Sequence, residues 1–243
     1  MQPEPTPSLT IVALGASAGG LEALQGFFAA MPADPRFAFV VITHRSPQNA
    51  RRMPEILQRS TAMPVSEAQD GERVAPGHVC VMPPNCLMRI ANGQLRIALG
   101  APHPSHSHPI DHFMRALAQD QQERAVGIVF SGMNNDGTAG LKDIRAAGGR
   151  AMVQDPATAQ FADMPRSAID AAAADTVLAV AGMGQALVDY VDYATAAALQ
   201  APLPGPPTAA AAAAGDTLLV DRLQEVLDVV RERCGAWRAA AVA

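Results

Sequence analysis

Ile11-Val12-Ala13-Leu14-Gly15-Ala16-Ser17-Ala18-Gly19-Gly20-Leu21-Glu22-Ala23-Leu24 decides the architecture. A short aliphatic run gives way to a turn of glycine, alanine and serine, and then to an apolar-rich stretch that Gly19, Gly20 and Glu22 open as a helix. Strand, turn and helix in that order begin a pattern that recurs along the chain, in which short apolar runs alternate with amphipathic stretches. That is the signature of a parallel α/β sheet. Strands are expected at Ile11–Leu14, Phe37–Ile42, His78–Met82, Val126–Phe130, Ala151–Gln154 and Thr176–Val180. Helices are expected at Gly20–Met31, Ala50–Ser60, Asp111–Gln122, Ala139–Ala147 and Gln185–Ala198. Leu87–Ile90 and Leu95–Leu99 flank Asn92-Gly93, a strong hairpin signal. The expected fold is α/β: a doubly wound, mostly parallel sheet with helices on both faces and a β-hairpin insertion.

The ends differ in composition. Residues 1–8 are proline-rich and expected to be loose. Pro202, Pro204, Gly205, Pro206, Pro207 and the alanine run to Ala214 read as a linker over 199–215. Residues 216–243 carry a last helix, with Leu219, Leu223, Val226, Leu227 and Val230 at helical spacing, and could open a further module.

Bulk properties exclude several classes. The 243 residues are 49% hydrophobic, enough for one large core with an appendage, but only 4% aromatic, so aliphatic side chains are expected to do most of the packing. A net charge of −5 without a Lys/Arg run argues against nucleic acid, as does the shortage of aromatics for base stacking. Cys80, Cys86 and Cys234 leave at least one thiol unpaired, which suits a reducing compartment. The start lacks a basic signal region, and Gly15, Ser17 and Glu22 interrupt the first apolar stretch, so cytoplasmic localisation without membrane insertion is expected.

Ligands of an open parallel sheet sit outside the carboxyl ends of its strands, and three polar residues fall there. Ser17, in Gly15-Ala16-Ser17-Ala18-Gly19, matches the Gly-x-Ser-x-Gly elbow that exposes a hydroxyl beside a helix N-terminus. The same string could be a turn that binds phosphate or only connects two elements. His44 follows the second strand and is a natural base near its ordinary pKa of about 6.5, or a histidine bonded to a neighbouring loop. Asp136, in Ser131-Gly132-Met133-Asn134-Asn135-Asp136-Gly137, could orient that histidine, or cap the helix beginning near Ala139. Nucleophile, base and orienter on one sheet edge point to a serine hydrolase. The order Ser, His, Asp differs from the Ser, Asp, His order of common α/β hydrolases.

These strings resemble the catalytic domain of the chemotaxis-specific protein-glutamate methylesterases. The resemblance takes in Ile11–Gly20, Val41-Ile42-Thr43-His44-Arg45-Ser46-Pro47, Asp70-Gly71-Glu72-Arg73-Val74, Val81-Met82-Pro83-Pro84-Asn85 and Pro109-Ile110-Asp111-His112-Phe113. It continues through Val126–Gly137 and Gly148-Gly149, then Gln154-Asp155-Pro156 and Met164-Pro165-Arg166-Ser167, and sets the catalytic domain at 9–198. It implies hydrolysis of glutamate methyl esters on chemoreceptor signalling helices with release of methanol, and deamidation of receptor glutamines in some members. The family triad falls on Ser17, His44 and Asp136. The oxyanion site falls on the backbone N–H of Met133, joined by that of Ala18. No cofactor or metal is implied, and the partner is the methylated cytoplasmic domain of a chemoreceptor.

Two departures stand out. Asn134 replaces a glycine common in the family, asparagine being the next-best residue for a left-handed position. The best-known members also carry an N-terminal receiver domain, whereas here the sequence opens at the catalytic strand, so phosphorylation control in cis is not expected. The closest branch is that fused to a receptor methyltransferase and sensory modules, either of which would be a further partner, and residues 223–235 resemble the opening helix of a methyltransferase domain. Two other classes compete. A catalytically degenerate receptor-binding module would keep the fold alone. An NAD(P)-dependent short-chain reductase would use Gly15-x-x-x-Gly19-Gly20, but Tyr190 and Tyr193 lack the lysine four residues on. His103, His106, His108 and His112 read as an exposed loop rather than metal ligands. Arg166 fits either a contact to acidic substrate surroundings or a structural ion pair.

Overall fold

A computed structural model describes residues 9–43, 52–99 and 108–200, without the side chains of 197–200. The expected loose N-terminus, residues 201–215 of the expected linker and the last helix lie outside the described residues, while residues 199 and 200, expected to open the linker, still belong to a helix. So do His103, His106 and Cys234 and the first residues of the helix expected from Ala50. The chain divides into two units, 1–193 and 194–243, and the whole sheet belongs to the first.

The chain runs β1 (Thr10–Ala16), α1 (Gly20–Ala30), β2 (Phe37–Thr43), α2 (Met53–Gln58), β3 (Val65–Glu67) and β4 (Val79–Val81). The hairpin β5 (Cys86–Ala91) and β6 (Gln94–Leu99) comes next, then α3 (Pro109–Gln121) and β7 (Ala125–Val129). The remainder is α4 (Thr138–Ala146), β8 (Arg150–Gln154), α5 (Asp163–Asp170), β9 (Thr176–Leu178) and α6 (Val180–Gln200). Seven parallel strands stand in the order β3-β4-β2-β1-β7-β8-β9. From β1 the chain winds outward to one edge, then returns to β7 and winds to the other. The order therefore reverses between β1 and β7, which is the switch point where such sheets bind ligands.

Alternation along the central strands builds both layers. Ile11, Ala13, Ala38, Val40 and Ile42 face a core shared with α3, α4, α5 and the hairpin. Val12, Leu14, Phe37, Phe39 and Val41 face α1, α2 and α6. The doubly wound sheet with helices on both faces is thus present. The hairpin turns at Asn92 and Gly93, both at positive φ as its tight turn requires, and lays Met88, Ile90 and Leu95 against the α3 side.

Three expectations need correction. Aromatic side chains matter more than their number suggests: six of the seven phenylalanines are fully buried, and Phe27 meets Phe28, Phe39 and Phe130 edge-on at 5.4–5.8 Å. Two elements went unforeseen, the three-residue strand β3 and the helix α5, whose Pro165 sits in the first turn where proline is tolerated. Finally, β9 stops at Leu178 and α6 begins at Val180 rather than Gln185, its opening disguised by Gly182 and Gly184.

Because Phe27 touches three other rings at the heart of one layer, Phe27→Ala should remove about 3–5 kcal/mol of stability. Urea unfolding reads this directly, and a loss under about 1 kcal/mol would mean that the layer is not packed as described.

Candidate functional site

Ser17 is the first residue after β1, on the carboxyl edge at the switch point. Its N–H donates to Ser131 O (3.0 Å), the rung after the bond from Phe130 N to Gly15 O (2.9 Å), so the β1–β7 ladder runs on past both strands. Ser17 O accepts from Gly20 N (3.0 Å) as the chain turns into α1. Gly19 makes that turn at φ +69°, and a Cβ there would come within 2.8 Å of Ser131 Oγ. Ser17 is half-buried, and its Oγ has no hydrogen-bond partner among the described residues.

The segment after β7 presses against this turn. Gly132 N donates to Phe161 O (3.0 Å), and Gly132 O accepts from Met164 N (3.0 Å) in the first turn of α5. A Cβ on Gly132 would lie 2.0 Å from Met164 Sδ and 3.0 Å from Ser17 Cβ, so a side chain there would have to push the Met164 side chain aside and crowd the Ser17 turn. Asn134 adopts φ +67°, the left-handed position for which asparagine is suited.

These bonds aim two N–H groups. In a trans peptide the N–H points opposite to the C=O of the same unit. Ser17 O is drawn to Gly20 N, so Ala18 N–H faces away from the start of α1. Gly132 O is drawn to Met164 N, so Met133 N–H faces away from α5. Neither donor has an acceptor among the described residues.

Asp136 is 2% exposed and does not cap the helix that follows it. The residue at the N-cap position of α4 is Gly137, which has no side chain to cap with. The carboxylate instead accepts from Ile110 N (3.0 Å) and Asp111 N (2.9 Å), the opening of α3, and from Gly137 N (2.9 Å). Asp111 returns the exchange: its Oδ1 accepts from Gly140 N (2.7 Å) in the first turn of α4. Each helix thus has a first-turn N–H held by a carboxylate from the other's start, a contact worth about 1 kcal/mol at each end, and Asp136 is fixed from several sides.

Of the remaining sequence candidates, His44 lies outside the described residues. It follows Thr43 in the chain, and Thr43 is paired with Ala16 just as Ser17 follows Ala16. Arg166 is exposed on α5 and makes no ion pair among the described residues, so the structural-pair reading has no partner there. His108 is half-exposed before α3, its Nδ1 3.7 Å from Asp136 Oδ1 and 3.9 Å from Asp111 Oδ2. That trio has atoms close enough for a cation, but its two carboxylates already accept the N–H groups of Ile110, Asp111, Gly137 and Gly140. In a second group, Glu72, His78 and Cys80, burial pushes the Cys80 thiol up to about 12, with Glu72 adding to the rise. The neutral thiol is a poor ligand.

Two contributors escaped the sequence reading. Ser131 and Gln154, each no more than 2% exposed, are bonded to one another through Ser131 N and Gln154 Oε1 (2.9 Å) behind the Ser17 turn. A glutamine closing an otherwise aliphatic strand was the available signal. Beside Gly19, Gln154 and Gln160 a cleft of about 470 Å3 opens.

A parallel α/β domain with a serine-bearing turn at its switch point is the class that fold and site define. The family model described as CheB methylesterase matches residues 12–187, and the chain belongs to that family. It is 37% identical over 182 residues to protein-glutamate methylesterase/protein-glutamine glutaminase 2 of Pseudomonas aeruginosa, covering 73% of this chain and 52% of the relative. A Geobacter metallireducens protein named protein-glutamate methylesterase/protein-glutamine glutaminase 1 is 34% identical over 187 residues, covering 75% and 51%. The crystal structure of the Thermotoga maritima CheB methylesterase catalytic domain superposes with TM-score 0.69 at 26% identity, covering 75% of this chain and 99% of that one. The chain spans about half the length of the curated relatives it matches. No helix among the described residues is long and apolar enough to cross a membrane.

The exchange between the two helix starts has a pH signature. Burial raises the Asp111 carboxyl above its ordinary value; the Gly140 N–H opposes the rise, Asp136 adds to it and His108 opposes it. A carboxyl raised in the folded state favours the protonated form there. Stability therefore falls as pH climbs from the unfolded value, about 3.9, through the folded one, and the ionised group carries a cost above that window. Asp111→Asn keeps an oxygen for Gly140 N–H and cannot ionise. Its stability relative to the wild type should rise between about pH 3.9 and pH 7. Urea unfolding over a pH series measures this, and a flat or falling difference would contradict the assignment.

Proposed function

We propose that this domain is a carboxylic ester hydrolase that removes methyl groups from glutamate methyl esters on chemoreceptor signalling helices, releasing methanol. The observation that carries the reading is the Ser17 turn: a hydroxyl without a hydrogen-bond partner among the described residues, at the switch point, near two backbone N–H groups whose preceding carbonyls are pinned elsewhere. The names of the relatives support the chemistry, and they extend it to deamidation of protein glutamines. Hydrolysis of an ester or an amide passes through the same tetrahedral oxyanion, so one site can serve both.

In the proposed course, Ser17 Oγ attacks the ester carbonyl and His44 takes its proton. Asp136 orients the histidine and stabilises the imidazolium that forms. The N–H groups of Ala18 and Met133 receive the negative oxygen. Collapse breaks the bond to methoxide, His44 returns the proton, and methanol leaves an acyl-Ser17. Water, activated by the same histidine, then releases the free glutamate carboxylate and restores the serine. No cofactor enters these steps.

The rim suits a protein substrate. Met133 is 50% and Phe161 37% exposed beside the nucleophile turn, and these apolar side chains would rest against a helical substrate. Arg166, exposed on α5, offers positive charge to the acidic neighbours of a receptor glutamate. The same reading sets the domain in the cytoplasm, takes the residues from 201 to 215, after α6, as a linker, and makes residues 216–243 the start of a module or a contact for a methyltransferase or sensory partner.

Ser17→Ala should leave folding within about 0.5 kcal/mol of the wild type and lower methanol release from a methylated receptor cytoplasmic fragment by at least ~10³-fold. Free glutamate methyl ester, lacking the surface that contributes binding energy, should be a far poorer substrate. Near-normal release by the folded variant would overturn the mechanism, and equal kcat/KM for both substrates would point to a small-molecule esterase.

A further inference from the structure

We infer that Ser131 is a positioning residue that holds both oxyanion donors, the Ala18 and Met133 N–H groups, in place; the inference rests on the methylesterase reading above. Ser131 is 1% exposed, and every polar atom it has is engaged. Its N–H donates to Gln154 Oε1 (2.9 Å), and its carbonyl accepts from Ser17 N (3.0 Å). Its hydroxyl donates to Ala18 O (2.8 Å) and accepts from Phe161 N (3.0 Å). Phe161 O lies farther from the hydroxyl, at 3.3 Å. A hydroxyl has one proton to give, and the shorter contact takes it.

These bonds bracket one peptide. Ser17 N and Ala18 O are the outer atoms of a two-residue stretch, and Ser131 grips both, one with its carbonyl and the other with its hydroxyl. Between them lies the Ser17–Ala18 peptide, which carries Ala18 N–H. Loss of the hydroxyl bond would leave this stretch tethered to Ser131 on one side only. Met133 N–H is treated likewise. Gly132 N is bonded to Phe161 O, while Phe161 N is bonded to Ser131 Oγ, so the Phe161 backbone is held by Ser131 and Gly132 together. One hydroxyl therefore braces both the turn that carries one donor and the strand end that carries the other.

A purely structural role accounts for less. A buried hydroxyl needs partners wherever it sits, but any nearby carbonyl would serve, and here its partners are the nucleophile turn and the segment that backs the second donor. Nor is Ser131 a rival nucleophile, because it is buried and its oxygen is committed in both directions. Gln154 completes the brace: its Oε1 takes Ser131 N and its Nε2 donates to Thr158 O (3.1 Å), which ties the 154–161 segment to the end of β7.

An oxyanion contact forms fully only in the transition state, so its misplacement should appear in kcat and not in KM. A displacement of about an ångström can cost about 100-fold. The experiment measures methanol release from a methylated receptor fragment by wild type, Ser17→Ala, Ser131→Ala and Ser131→Cys, with thermal unfolding of each. Cysteine fills the space of the serine with a weak donor and so guards against an alanine variant that fails to fold. The expected result is a kcat lower by about 10- to 100-fold in the Ser131 variants, with KM within about twofold. Folded Ser131 variants with wild-type kcat, or with the loss confined to KM, would overturn the inference while leaving the methylesterase reading intact. A wild type that releases no methanol would overturn both.

Discussion

The hydrogen bond from Ser17 N to Ser131 O joins β1 and β7 beyond the ends of both strands, and the rest of the site depends on it. Parallel strands on the two sides of a switch point diverge as their chains leave for helices on opposite faces. A rung past the last residue of each strand keeps the two departing chains together. It sets the Ser17 turn against the Gly132 segment, and the lack of a side chain on Gly132 allows that approach. Without glycine there, Met164 Sδ and Ser17 Cβ would both be displaced.

From that junction the polar groups of the edge are settled in pairs. Carbonyls that could have faced solvent are turned inward, Ser17 O to Gly20 N and Gly132 O to Met164 N. Peptide planarity then turns the following N–H groups the other way. Donors held in place without an acceptor are what oxyanion stabilisation needs, because they require no reorganisation when charge develops. On the far side of the loop, Asp136 is held by the start of α3 while Asp111 holds the start of α4. Asp136, the proposed orienting acid, is therefore fixed by the packing of two helices, and its placement does not depend only on the loop that carries it.

Much of this is legible in the sequence, for identifiable reasons. Buried parallel strands are short aliphatic runs, so β1, β2 and β7 stand out, and Asn92-Gly93 announces its hairpin. The Ser17 turn is legible not from its small residues alone, which would also suit a phosphate-binding or connecting turn, but because His44 and Asp136 fall on the same expected sheet edge. Asp136 is legible as a functional candidate, but not in its local role: the alternative expectation is a cap on the helix after it, whereas the N–H groups it accepts at α3 start 26 residues earlier. No local pattern reports a partner at that distance. Helix α5 is hidden by Pro165 in its first turn, and β3 by its three-residue length. Ser131 looks like one more loop serine, since the bonds that define it run to Ala18, Gln154 and Phe161, far apart in the chain. His44, the proposed base, lies outside the described residues, and its role rests on its position one residue past the strand beside β1.

If Ser17 is the nucleophile of an esterase site, its hydroxyl can be trapped covalently. A phosphonofluoridate that phosphonylates activated serine hydroxyls would be incubated with the protein, followed by intact-mass measurement and peptide mapping. A single adduct is expected on the peptide containing Ser17, absent from Ser17→Ala and from His44→Ala. No adduct on the folded wild type, or an adduct on any other residue with Ser17 unmodified, would contradict it.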